Sequence, residues 1–286
     1  MSNTINYSPQ IVNKNQNTLW SKISIPWTIT VVYLLFILIL PVSALTTKSL
    51  TLGWGKFWEV ASSPIAISAY NMTFFTSLAA GLINGVMGSL IAWVLVRYEF
   101  PLKKVVDAAV DLPFALPTSV AGLVLATVYS EKGWIGQLFV PFGIKIAFTR
   151  WGVFVAMIFI SLPFIVRTLQ PVLQELEEET EEAAWSLGAT EFQTFWRVIF
   201  PPLIPPILTG VALGFSRAVG EYGSVVLVAS NIPFKDLIAP VLVFQRLEEY
   251  DYTGATVIGA VLLLFSLILL LVINLLQQWG RRYATE

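Results

Sequence analysis

Residues 175–206 read ELEEETEEAAWSLGATEFQTFWRVIFPPLIPP, and the first eight positions hold six carboxylates. Each carboxylate costs roughly 2.5–3.5 kcal/mol at the centre of a bilayer, so this run belongs in water. The sequence on both sides is oily. The stretch therefore reads as a polar loop slung between two membrane spans.

The loop has an internal grammar. Pro171 to Leu187 has helix-forming composition, with Leu173, Leu176, Ala183, Ala184 and Leu187 as candidate buried positions. Gly188 supplies a C-terminal stop, because glycine takes the left-handed conformation at little cost. Thr190 with Gln193 three residues later is the pattern of a capping box, which starts a second helix. In that helix Phe192, Phe195, Trp196 and Ile199 fall at i, i+3, i+4 and i+7, a continuous apolar stripe. Pro201 is expected to end it. The stripe either packs beneath the chain's own spans or awaits a partner, and the two readings are compatible.

Composition places the loop in a membrane protein. Of 286 residues, 56% are hydrophobic and 12% charged, against about 45–50% and 25% in ordinary globular domains. The net charge of −1 leaves no nucleic-acid footprint. Cysteine and histidine are both absent, which removes disulfides, thiolate sites and the commonest general base and metal ligand. We expect no catalytic residue and no metal site.

Outward from the loop, the spans follow by length, since about 20 apolar residues cross the hydrocarbon. Residues 1–26 read as a polar tail and 27–45 as a first span. A secretory signal ending at Val42-Ser43-Ala44 is the alternative, disfavoured by a long leader and an over-long apolar core. Further spans are expected near 72–96, 110–129, 151–170, 203–229 and 254–279, with the polar loop over 171–202. The second holds Gly81-x-x-x-Gly85, which permits close helix approach. The third opens on Asp111-Leu-Pro-Phe-Ala-Leu-Pro-Thr-Ser-Val-Ala-Gly122, whose prolines predict a kinked or late-starting helix. Six spans put both termini on one side. Nine Lys and Arg then lie inside against seven outside, too small a bias to orient the chain by itself.

Arg217 and Glu221 fall near the middle of the expected fifth span, spaced i, i+4, so that they share a helix face and pair. Unpaired, they would cost roughly 5–7 kcal/mol together. Two readings stay open: a helix-to-helix fastener, or an anion path in which Arg217 supplies positive potential and Glu221 keeps it from becoming a trap. Asn84, Asn231 and Asn274 read as satisfied helix contacts.

Glu182-Ala183-Ala184, Gly188 and Val198-x-Phe200-Pro201 at their spacing resemble the EAA loop of ABC importer permeases, with Val198 and Phe200 where that family favours Ile and Leu. The stretches Asp111–Leu123 and Ser216-Arg-Ala-Val-Gly-Glu-Tyr-Gly223 resemble the T-type permease of sulfate/thiosulfate importers. Molybdate/tungstate permeases, which share an Arg-x-x-Gly-Glu pattern, are the runner-up.

The resemblance covers roughly residues 70–280 and implies an all-α polytopic protein with six transmembrane helices, a type I importer permease with a cytoplasmic coupling loop. It implies that Glu182, Ala183, Ala184, Gly188 and Pro201 couple to an ATPase, with Glu182 in a cross-subunit ion pair. The remaining acids from Glu175 to Glu181 would form a solvated face. The implied partners are a second homologous permease, a dimer of ABC ATPase subunits that use ATP and Mg, and a periplasmic sulfate-binding protein, at the inner membrane with both termini cytoplasmic. No GxxxxGK[ST] phosphate loop occurs here, so ATP would be hydrolysed by another chain. An ion-coupled secondary anion transporter is the alternative class.

Overall fold

The computed structural model describes residues 25–283, which contain helices and no strand. They fall into two units that divide between Lys48 and Ser49. The polar tail expected over 1–26 lies, but for its last two residues, outside the described residues.

In the first unit, α1 (Ile25–Ser49) is long and apolar enough to span, and none of its apolar stretch is buried. It passes through Pro41 without breaking. A proline ring clashes with the carbonyl four residues behind it. Here the turn Leu35–Ile39 is widened, and the Leu40 N–H donates to the Leu35 carbonyl five residues back, which moves the obstructing carbonyls away from the ring.

The second unit begins with α2 (Trp54–Ala61), a short helix that exposes Trp54 and Trp58, as interfacial segments do. Then comes α3 (Pro64–Arg97), whose first turn is capped by Ser63 and opened by Pro64. Its buried residues are nearly all small, so α7 (Arg150–Glu175) and α9 (Glu191–Val219) can lie directly against it. A Cβ on Gly85 would sit 2.8 Å from Val211 Cγ2 of α9, and one on Gly88 3.0 Å from Ile165 of α7. Asn84 donates 2.8 Å bonds to the Ile158 carbonyl and to Ser161 Oγ, so it is a satisfied helix contact as expected. α12 (Tyr252–Tyr283) closes the bundle, with Phe265 on Phe74 and Phe215.

Five helices, α1, α3, α7, α9 and α12, are long and apolar enough to cross a membrane. The expected third span over 110–129 is not one of them. Residues 103–129 are broken into α4 (Lys103–Val110), α5 (Leu112–Ala115) and α6 (Thr118–Tyr129). Leu116 and Pro117 are extended, with ψ of 135° and 132°. The prolines at 113 and 117 lack the N–H a continuous helix needs. At 12 residues α6 rises about 18 Å, short of the roughly 30 Å of hydrocarbon.

Two further boundaries differ from expectation. Pro171 does not open the loop helix: α7 runs through it to Glu175, and the break falls at the extended residues Leu176 and Glu177. The fifth span does not run to 229 but ends at Val219. After Gly220 the chain forms a turn, the short α10 (Val225–Val228), a loop, and α11 (Ala239–Glu248).

Candidate functional site

The polar loop lies at one end of the bundle, beside Arg97 of α3. Its first helix, α8, spans Glu178–Ser186 and ends as glycine dictates. Gly188 has φ +84°. Its N–H donates to the Trp185 carbonyl, and the Ala189 N–H donates to that of Ala184, which is the Schellman pair of bonds. Thr190 then starts α9 with the expected capping box: Gln193 N–H donates to Thr190 Oγ1 at 3.3 Å, and Thr190 N–H to Gln193 Oε1 at 3.0 Å.

The apolar stripe divides in two. Phe195 meets Trp93 edge-on at 5.9 Å, and Ile199 is buried among the residues of α3 and α7. Phe192 and Trp196 face out, 73% and 48% exposed, and Leu187 is 90% exposed. Leu187 and Ala183 are thus not the buried positions expected of them, and Ala184 is half-buried. Leu173 is buried as expected.

Pro201 does not end the second helix. The turn Phe195–Ile199 is widened, with the Phe200 N–H donating to the Phe195 carbonyl. This is the arrangement that precedes Pro41 in α1. The second loop helix and the span behind it are therefore one rod of 29 residues, about 44 Å long.

Two ion networks fasten this end, and neither is visible as a local pattern. Glu181, expected on a solvated face, accepts from Arg97 Nη2 at 2.6 Å with both side chains mostly shielded. Arg97 also lies over the Trp93 ring at 5.3 Å. Arg167 of α7 grips α4 and α5: it donates from Nε and Nη2 to the two oxygens of Asp111, from Nη1 to Asp107 Oδ1, and from Nη2 to the Asp107 carbonyl. Hydrogen bonds from Gln170 and Arg167 hold the Asp107 carboxyl below its usual range. Glu182 is exposed and has no ion pair among the described residues.

At the other end of α9, Arg217 and Glu221 do pair, Nη1 to Oε2 at 2.7 Å. They are not mid-helix as expected. Arg217 is in the last turn, and Glu221 lies just beyond Gly220. Glu221 is 1% exposed, and its other oxygen accepts from Ser224 N at 2.8 Å and Ser224 Oγ at 2.9 Å. Arg217 keeps 34% of its side chain exposed, with Nε and Nη2 making no hydrogen bond among the described residues.

The segment after Gly220 is clamped against α6. A Cβ on Gly122 would lie 2.7 Å from Ser224 Cα, and one on Gly223 would overlap the Thr118 hydroxyl. The two stretches 111–123 and 216–223 thus meet. No sequence pattern brings Thr118, Gly122 and Ser224 together; the signal available is that Thr118 and Gly122 lie in the first of those stretches and Ser224 directly follows the second.

Comparison with known proteins gives one consistent result. Residues 84–282 match the family model described as binding-protein-dependent transport system inner membrane component. The chain is 75% identical over 286 residues, all of both chains, to a sulfate transport system permease protein of Synechocystis sp.. It is 64% identical over 263 residues to one of Synechococcus elongatus, covering 92% of this chain and 95% of that one. Among solved structures, a bacterial ABC transporter involved in import of the acidic polysaccharide alginate aligns with a TM-score of 0.71 over 92% of this chain and 98% of that one. At 17% identity, that likeness speaks for the fold alone.

Proposed function

Because this chain belongs to the family of binding-protein-dependent transport system inner membrane components, we propose that it is the membrane-spanning permease subunit of an ATP-driven importer of sulfate, and of thiosulfate with it. The observation that carries this reading is the 75% identity, from end to end, to a sulfate permease. The chain is a conduit, and ATP with its Mg would be used by separate ATPase subunits.

In this reading the loop 171–202 is cytoplasmic, and so are both termini. A second, homologous permease completes the path, and a dimer of ATPases receives α8 and the exposed face of α9. A periplasmic binding protein delivers the anion at the opposite end. Glu182, Ala183 and Ala184 lie on α8, Gly188 makes the bend, and Pro201 sits in the unbroken rod behind it. Movement of the docked loop is passed along α9 as a rigid body to Arg217, about 39 Å of helix later. Glu221 holds one edge of the guanidinium, and the free nitrogens offer the positive charge and donors a tetrahedral oxyanion needs. The mechanism is alternating access: the same cluster opens first to one side and then to the other as the loop is pulled.

The test is uptake of labelled sulfate into vesicles holding the chain with its partner permease, ATPases and binding protein. Accumulation is expected with internal ATP and not without it, competed by thiosulfate and less by molybdate or tungstate. Accumulation without ATP, following an ion gradient, identifies a secondary transporter instead and overturns the proposal.

A further inference from the structure

Two pockets open at the end opposite the loop, and they differ in charge. The larger, about 420 Å³, contains Lys132 and Lys145, but also Glu131, whose carboxylate pairs with Lys145. The smaller, about 250 Å³, is walled by three elements: the first turns of α3 with Ser68, Asn71 and Thr76, the first residue of α7, Arg150, and the loop before α11 with Phe234 and Lys235. No carboxylate among the described residues lines it. Neither Arg150 nor Lys235 has an ion-pair partner among the described residues, whereas the six other arginines and lysines that do pair use carboxylates elsewhere.

The loop that presents Lys235 is built. Asp236 is 1% exposed. It accepts from Ser230 N and Oγ at 2.7 Å each and from Ile232 N at 2.9 Å, so its charge is consumed within its own loop. The Lys235 N–H donates to the Ile232 carbonyl, and the Ala239 N–H donates to Thr73 Oγ1 at 2.8 Å, fixing the loop to α3.

We propose that Arg150 and Lys235, with Ser68, Asn71 and Thr76, form a receiving site for a tetrahedral oxyanion at the outer mouth of the permease. The inference rests on the permease reading above. Two cations on separate elements give charge-assisted bonds from two directions, and hydroxyl and amide donors can complete the shell. The volume equals roughly eight waters at about 30 Å³ each, room for a small anion still partly hydrated. An unneutralised basic cleft also raises the local concentration of anions before any tight contact forms. A lipid phosphate presents the same chemistry, and the experiment separates the two sources.

The probe is acetylation of Lys235 in the assembled importer, in nanodiscs, followed by mass spectrometry with Lys104 at the far end as the internal control. Sulfate is expected to slow modification of Lys235 about threefold or more relative to chloride at equal ionic strength, and R150Q to abolish the protection. In vesicles, R150Q and K235Q should lower uptake about fivefold at limiting sulfate and recover at saturating sulfate. Equal protection by chloride overturns the proposal. Protection by added anionic phospholipid but not by sulfate assigns the pocket to a headgroup, and protection only by the binding protein makes it a docking contact. Either result also overturns it. If the wild type imports sulfate while Lys235 is unprotected, this inference alone fails; if the wild type imports none, the permease reading fails first.

Discussion

The two ends of α9 are made on opposite plans. At its start, around Leu187–Trp196, apolar side chains stand in the open while the backbone is locally complete through the Schellman bonds and the capping box. At its finish, around Arg217–Ser224, a buried carboxylate has its oxygens filled and the backbone of α6 lies against Ser224 with no room for a Cβ. One end leaves an apolar face open, and the other is closed over by a distant segment. The exposed rings at the start are held by bonds within their own loop, with Arg97–Glu181 as a long-range tie. An end that must hold a charge in place within the bundle borrows its order from distant segments.

Substitutions can break this contrast, and they are ordered here by stability lost. Gly122→Val drives side-chain atoms into the Ser224 backbone and should cost about 3 kcal/mol or more, read as a lower melting temperature in detergent and less protein in the membrane. Glu221→Ala strands Arg217 and the Ser224 donors and should cost about 2–3 kcal/mol; Glu221→Gln should recover part of the stability while sulfate uptake stays depressed. At Gly188 nothing stands within 4 Å of a Cβ, so the penalty of Gly188→Val is the left-handed backbone alone, about 1–2 kcal/mol. That variant should stay in the membrane with ATP hydrolysis uncoupled from uptake. Intact transport would reduce the loop to a tether. Smallest, Phe192→Ala and Trp196→Ala should change stability by no more than about 0.5 kcal/mol, as exposed substitutions do. They should nevertheless weaken ATPase association about tenfold or more, as loss of buried aromatic anchors does. A stability loss as large as that at Gly122 would show that these rings belong to the core.

What could be read from sequence followed the same division. The capping box, the Gly188 stop and the Arg217–Glu221 pair are contacts within five residues, and local pattern finds such contacts. Arg97 with Glu181, Arg167 with Asp107 and Asp111, and Gly122 against Ser224 join segments 56 or more residues apart, and no local pattern encodes them. Glu181 sits among five other acids, a run that reads as solvated, and its neighbours in sequence say nothing of Arg97. The fold class followed from oiliness and length. The sixth span did not, because residues 110–129 are apolar enough to cross and only the extended backbone at Leu116 and Pro117 makes them too short. Pro201 misled for a related reason: proline forbids an ordinary turn behind it, but a widened one removes the conflict.

That widened turn sets an angle. A turn closed by a bond five residues back holds one residue more than an ordinary α-turn, and one residue is worth about 100° around the axis. Phe192 therefore points in a direction that an unbroken α-helix drawn back from Gly210 and Gly214 would not give it. The single surplus residue acts as a phase shifter, which dials the exposed face of Phe192 and Trp196 around the rod.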